Sequence, residues 1–318
     1  MRYTVRHVTR FTYDSPISES IMEVRMQPRS DDLQHCVQFT LTTSPAARVM
    51  QYDDHDGNRI HHFNIPTRHS CLSVTAAALV DCEAPGPLPY RLGPGGWSAL
   101  DALATSGEHW GFLAPSRFAC RSPLLDVFAQ EIGFERGHDP LVTLRRLMAE
   151  MYKRFEYSPE TTRVDSPIDE ALTTRQGVCQ DFTHIFISLA RSLGVPTRYV
   201  SGYLFPQEGH SDRSTDQATH AWVETLLPEH GWVGFDPTNN LIAEERHIRV
   251  AVGRDYADVP PTRGVYKGVT AARSELGVSV RVGSVDSPLP GDVIKFTPWL
   301  SRDVGSTPEE ETSQQQQQ

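Results

Sequence analysis

The chain has 318 residues, of which 38% are hydrophobic and 22% charged; 30 Lys and Arg face 40 Asp and Glu, giving a formal net charge of −10 and a pI near 5.7. That length allows one large domain or two ordinary ones, and the acidic balance argues against a nucleic-acid partner, which needs a basic surface. No apolar run approaches the roughly 18 residues a membrane span requires, so no membrane partner is expected.

The opening Met1-Arg2-Tyr3-Thr4-Val5-Arg6-His7 alternates as a strand does and offers no uncharged signal core, so a cytoplasmic location is expected. Residues 1 to 84 read as an all-β, sandwich-like domain. Tyr3-Val5, Phe11-Tyr13, Ser20 to Met26, Val37-Phe39-Leu41, Val49 to Tyr52, Ile60 to Ile65 and Leu72 to Val80 are strand-like. Ser-Pro breaks and the turn Asp53-Asp54-His55-Asp56-Gly57-Asn58 separate them. Nothing catalytic is evident there. Residues 85 to 120, crowded with Pro and Gly, read as a connection without regular elements, tacked down by Trp97, Trp110 and Phe112.

The cysteines at 36, 71, 82, 120 and 179 are odd in number and lack a CxxC pair, which disfavours a disulfide scaffold or a zinc ribbon. His61-His62 and His35-Cys36 are the densest spots of metal-ligand types. Neighbours on a strand point to opposite faces, so they are expected to be surface histidines, and no metal or other cofactor is expected.

The second domain, residues 121 to 300, opens with helices begun by Ser122-Pro123 and by Asp139-Pro140, the latter carrying the stripe Leu141, Leu144, Leu147, Met148, Met151 and Phe155. A short helix over Pro167 to Leu172 leads into Arg175-Gln176-Gly177-Val178-Cys179-Gln180-Asp181-Phe182. From Cys179 the apolar residues Phe182, Ile185, Phe186, Leu189 and Leu193 recur at helical spacing, and Gly194 and Pro196 supply the stop. A thiol at a helix N-terminus feels the positive end of the macrodipole, which favours its nucleophilic form. Taken alone, Cys179 reads as a buried core cysteine in preference to a nucleophile.

Beyond this helix the period changes to two: Thr197 to Leu204, Thr219 to Leu227 and Trp232 to Phe235 are strand-like. Helices first and antiparallel strands after make the domain α+β. The last two strands form a hairpin. A turn centred on Pro228 would oppose Glu224 to Trp232, Trp222 to Gly234 and His220 to Asp236. A histidine and a carboxylate so placed can hydrogen-bond, which fixes the imidazole tautomer and stabilises the imidazolium. Cys179, His220 and Asp236 together supply nucleophile, base and orienter for thiol acyl transfer.

These residues also resemble a known family. Gly177 to Phe182, His220-Ala221-Trp222-Val223-Glu224 and Trp232 to Thr238 look like the three signature blocks of the transglutaminase-like superfamily. The β-rich start and Gly253 to Pro260 resemble its bacterial branch, whose members are often assigned as cysteine proteases. The resemblance implies a papain-like core with Cys179 as nucleophile, His220 as base and Asp236 as orienter, acting on peptide or amide bonds through a thioester. Water as acceptor would make a peptidase or amidase, an amine a transglutaminase; a non-catalytic binding module with the same fold is the remaining alternative. The backbone N–H of Cys179 is the natural oxyanion donor, with Tyr157, Gln176 and Trp222 as further oxyanion or pocket candidates. A peptide or protein substrate is implied, and calcium is not. The strand-like 247–252 and 277–282 would complete this sheet or pack on the first domain, and residues 301 to 318, ending in five glutamines, read as a disordered tail.

Overall fold

The computed structural model describes residues 1–159, 161–206, 212–214, 218–268, 273–285 and 295–297. The expected tail over 301–318 lies outside the described residues. The chain divides into two units, one of residues 1–82 with 216–219 and everything from 260, the other of 83–215 with 220–259.

The first unit opens with β1 (Arg2–Ile17), β2 (Glu19–Val24), β3 (Gln34–Ser44), β4 (Met50–Asp53), β5 (Arg59–Ile65) and β6 (His69–Cys82). Ser15-Pro16, expected to break the chain, instead lies within β1, where the register against β6 slips between Thr12 and Ile17. A proline lacks the donor a ladder needs, and an irregularity in the pairing accommodates it.

The second unit begins with α1 (Gly96–Thr105), inside the segment expected to be irregular. Its glycines lie at the start, where Gly95 adopts φ 97°, so the helix interior is free of them. Leu100 is fully buried, Trp97 Nε1 donates to the Gly137 carbonyl at 2.8 Å, and Phe112 meets Trp232 edge-on at 5.4 Å. Trp110, expected to help, is exposed. Then follow α2 (Pro123–Glu131), α3 (Pro140–Arg154), β7 (Glu156–Tyr157), α4 (Ile168–Thr174), β8 (Gln176–Gly177) and α5 (Cys179–Ser192). Ser122 and Asp139 cap α2 and α3 by accepting from Leu125 N–H and Val142 N–H, each with proline next in the chain. β7 and β8 pair in parallel, placing Tyr157 opposite Gly177.

After α5 come β9 (Thr197–Leu204), β10 (His220–Leu227), β11 (Gly231–Asp236), β12 (Leu241–Ile242) and β13 (His247–Gly253). They form an antiparallel sheet in the order β12-β11-β10-β9-β13. Helix α5 is buried from Gln180 to Arg191, as a helix enclosed on all sides must be. It packs on the sheet through contacts such as Phe186 with Phe235, 5.8 Å apart, and His184 with Tyr199, 5.2 Å apart.

The remaining strands, β14 (Thr262–Lys267), β15 (Ser274–Ser284) and β16 (Lys295–Thr297), return to the first unit. β15 pairs with β1 from Tyr3↔Ser284 to Tyr13↔Ser274, and β14 pairs with β2. The catalytic core expected to run to residue 300 therefore ends near Val259, and of the two late segments only 247–252 completes its sheet. The first unit's sheets run β16-β15-β1-β6-β3 and β14-β2-β5-β4. Phe11, Ile17, Leu72 and Val74 from one and Met22, Val24, Phe63 and Ile65 from the other share a single core, which makes this unit a β-sandwich. His61, expected at the surface, is buried, because it shares a face of β5 with the core residue Phe63; its ring lies 4.9 Å from that of Phe39 at a tilt.

Candidate active site

Helix α5 is started by an arrangement that fixes Cys179 in place. The Val178 N–H donates to Asp181 Oδ2 at 2.8 Å, closing the first turn from within. Thr162 Oγ1 donates to the same oxygen at 2.5 Å, and burial pushes the Asp181 carboxyl up to about 6. A side chain at 177 would place its Cβ 2.8 Å from Asp181 Oδ2, which is why glycine stands there. Thr183 Oγ1 donates to the Cys179 carbonyl at 2.7 Å, and Gln180 Nε2 to the Val164 carbonyl at 2.8 Å. Cys179 itself is half-buried and unbonded to another cysteine.

His220 Nε2 lies 2.8 Å from Asp236 Oδ2, both side chains fully withdrawn from solvent. The hairpin that brings them together is not in the expected register. Val223 pairs with Phe235 and Glu224 with Gly234, because the turn centres on Glu229 rather than Pro228. Glu229 takes φ 65° and Gly231 φ 67°, and His230 N–H donates to the Leu227 carbonyl. Moving the centre by one residue shifts the pairing by two. An even shift keeps every side chain on its face, so His220 and Asp236 become diagonal neighbours, still within side-chain reach. Room for the Trp222 ring comes chiefly from Gly202, opposite His220, where a Cβ would lie 2.6 Å from Trp222 Cη2. Gly234 contributes too, but a Cβ there would chiefly strike Ala243.

Asp236 accepts more than one bond. Oδ1 takes the Thr238 N–H at 3.0 Å and the Asn239 N–H at 3.2 Å, while Oδ2 also takes Asn239 Nδ2 at 2.8 Å and His247 Nε2 at 3.3 Å. Burial would raise this carboxyl, but the charge on His220 and the hydrogen bonds from His220 and His247 hold it far below the usual carboxylate range. Burial likewise opposes charge on His220, and Asp236 overrides it, with a further contribution from Cys179, so that His220 is raised to about 10. His247 is held below its usual range by burial; its Nδ1 accepts the Glu244 N–H at 3.2 Å, which places its proton on Nε2, toward Asp236. His220 Nδ1 has no hydrogen-bond partner within ordinary limits, leaving it as the ring nitrogen open to the thiol. The phenols of Tyr199 and Tyr256 are raised by burial first and then by the proximity of Cys179.

His220, Asp236 and His247 offer three ligand atoms within 4.8 Å of one another, the one such group among the described residues. The direct 2.8 and 3.3 Å bonds between them place protons where an ion would sit.

The other candidates separate. Trp222 is fully buried against Val200 and Val252, its ring stacked on His220 at 6.0 Å and edge-on to His247 at 5.3 Å, so it packs behind the histidines. Gln176 Nε2 donates to Glu156 Oε2 at 3.0 Å, and Tyr157 sits beside Gly177. His247 and Asn239 were not legible as site residues; the signal that could have marked Asn239 is its position three residues after Asp236, where an Asp side chain commonly captures backbone N–H groups.

The chain matches the model of the transglutaminase-like superfamily over residues 128–237 and that of the bacterial transglutaminase-like N-terminal region over residues 3–81. It is 32% identical over 280 residues to an uncharacterized protein of Mycobacterium leprae, covering 88% of this chain and 98% of the relative. The chain belongs to the transglutaminase-like superfamily. A crystal structure of a candidate cysteine protease from Cytophaga hutchinsonii shares this transglutaminase-like fold with a TM-score of 0.69 at 20% identity, covering 93% of this chain and 98% of that one. A protein-glutamine gamma-glutamyltransferase of Pseudomonas aeruginosa is 30% identical over 141 residues, 39% of this chain and 21% of its own. Both transglutaminase-like blocks coincide with the division of the fold: the N-terminal region with the strands of the first unit, the core with the unit that holds Cys179, His220 and Asp236.

Proposed function

We propose that this protein catalyses thiol-dependent acyl transfer on peptide or amide bonds, with Cys179 as nucleophile, His220 as proton carrier and Asp236 as its orienting partner. The observation that carries this reading is the buried 2.8 Å His220–Asp236 pair, coupled to a cysteine at a helix N-terminus.

With His220 raised to about 10, the ring holds a proton at neutral pH. In this reading that proton is the one taken from the thiol, and Sγ attacks the carbonyl carbon. The developing oxyanion meets the unpaired N–H groups at the start of α5, that of Cys179 first. Collapse of the tetrahedral intermediate breaks the C–N bond, and His220 gives its proton to the departing amine. A water, deprotonated by the now neutral imidazole, then attacks the thioester and releases the acid, and the proton on His220 restores the resting pair. Asp236 stays ionised throughout and keeps the ring oriented. An amine replacing water at the second step is the second reading, favoured by the similarity to the Pseudomonas aeruginosa gamma-glutamyltransferase.

The test is to incubate the protein with a peptide-amide library and weigh it intact. An acyl adduct on Cys179, absent from Cys179→Ala, is expected. Unchanged turnover in Cys179→Ala would overturn the reading. Products formed with and without added amine separate the two acceptors.

A further inference from the structure

Next to β7 and β8 lies a groove of about 540 Å3, lined by Lys153, Arg154, Arg175 and Arg213 together with Tyr157 and Gln176. Four cations in one groove stand out on a chain of net charge −10. Two are matched: Arg154 pairs with Glu150 at 2.8 Å and Glu131 at 2.7 Å, and Arg175 with Glu131 at 2.5 Å. Among the described residues, Lys153 and Arg213 have no ion-pair partner. Glu156 also lines the groove, and its carboxylate is bonded to Gln176.

Arg213 is held rigidly without being neutralised. Its Nη1 donates to the backbone carbonyls of Tyr152 at 2.8 Å and Phe155 at 3.0 Å, and its guanidinium carbon lies 3.5 Å from the centre of the Tyr152 ring. A guanidinium whose rotamer is already fixed loses little side-chain entropy when an anion meets it. Its position ties the groove to the reacting centre from two sides. Gln176 precedes Cys179 by three residues, at most about 11 Å of extended chain. The Arg213 N–H donates to Asn239 Oδ1 at 2.8 Å, and Asn239 is itself bonded to Asp236.

We propose that this groove is a subsite for carboxylate groups of the acyl donor, so that the preferred substrate is an acidic peptide with Asp or Glu a few residues from the amide that is attacked. The inference rests on the acyl-transfer reading for its place in the reaction, but binding can be measured without turnover. A carboxylate is the ligand that a fixed guanidinium and a nearby ammonium select, through charge-assisted N–H···O bonds. Two unmatched cations, Lys153 exposed and Arg213 half-buried, each giving the few-fold gain of a surface ion pair, together supply about a tenfold preference.

The experiment uses the full chain carrying Cys179→Ala and fluorescein-labelled hexapeptides with a central glutamine. One pair differs only by Glu-Glu against Gln-Gln before that residue, a second pair by the same change after it. Anisotropy is expected to show the Glu-Glu peptide binding about tenfold more tightly in one of the pairs, with the advantage shrinking in high salt. Lys153→Glu, at an exposed helix end, and Arg213→Gln are each expected to reduce the Glu-to-Gln ratio, while Arg213→Lys retains part of it. Equal binding of Glu and Gln peptides in both pairs would overturn the subsite. If the charge preference holds and the wild-type protein turns over neither peptide, the acyl-transfer reading fails on these substrates and the subsite stands. If the wild type turns over both with equal kcat/KM, acyl transfer stands and the subsite falls.

Discussion

Replacing Asp236 by Asn tests the electrostatics of the site at its most exposed assumption. The carboxylate raises His220 from an ordinary 6.5 to about 10 against the opposing effect of burial. A shift of that size is on the order of 5 kcal/mol between the two protonation states. Asn retains a carbonyl that can accept the Thr238 and Asn239 N–H groups, so the turn is kept, but the charge is lost. Burial, the largest single influence on this ring, is then opposed only by the smaller contribution of Cys179. The expected outcome is therefore a reversal of sign: His220 in Asp236→Asn titrates below 6.5 and is neutral at pH 7. An NMR titration of histidine-labelled protein reads this directly, with His220→Gln identifying the resonance. Turnover at pH 7 should fall by about 10⁴, the loss that follows when a triad carboxylate is made neutral. A His220 resonance that titrates identically in the variant and the wild type would refute the argument that Asp236 sets the charge of the ring. The same pair bears on stability in a defined window. Asp236, depressed, stabilises the fold above its unfolded value near 4 and loses this as the pH falls through its folded value; His220, raised, stabilises fully below 6.5 and loses this as the pH climbs through about 10.

Three further outcomes are expected. Gly202→Ala sets a methyl group against the Ile248 carbonyl and the buried Trp222 ring, and thermal unfolding should show a loss of more than about 3 kcal/mol or no soluble protein; a variant within about 0.5 kcal/mol of wild type would contradict the close approach. His184 is buried between Phe118 and Tyr199, accepts the Tyr256 N–H, and is lowered to about 4 by burial. Because the unfolded chain binds its proton more readily, urea unfolding should show stability declining as the pH drops from 6.5 toward 4, and His184→Gln should flatten that part of the curve. Asp181→Ala removes the acceptor that closes the first turn of α5 and should cost about 1 kcal/mol in denaturant melts, with slower iodoacetamide labelling of Cys179; labelling at the wild-type rate would show that the thiol is positioned by other contacts.

Much of this was readable in advance because the signals were local. Helix α5 begins and ends where Cys179, Gly194 and Pro196 place it, and the longer strands of the three large sheets follow the alternation of their residues. The hairpin register differs by two from the one a turn at Pro228 implies, because a left-handed conformation at Glu229 cannot be inferred from a residue type that rarely adopts it. The pairing of His220 with Asp236 survived only because an even slip preserves the faces of the strands. Helix α1 was hidden by flanking prolines and glycines, although Trp97, Leu100 and Leu103 stand at helical spacing within it. His247 had no local signal at all. Its bond to Asp236 depends on β13 joining β9 at the sheet's far edge, with β9 and β10 between it and β11. The late strands were ambiguous for the same reason: β15 pairs with β1 across some 270 residues of chain, a partnership set by the whole fold.

That pairing makes the first unit a host and the thiol-bearing unit a guest spliced into it, which has a consequence for synthesis. β1 leaves the ribosome first, yet one of its two neighbours, β15, is among the last strands to emerge. The guest's residues, 83–215 and 220–259, are complete before then and can fold on their own contacts, whereas the host must hold one side of β1 open until β15 arrives. During that interval β1 is a long strand with an unpaired row of N–H and C=O groups, the surface on which strands of other chains add. Nascent chains stalled short of residue 274 should therefore be the ones that recruit chaperones or aggregate, with a guest already formed at their end.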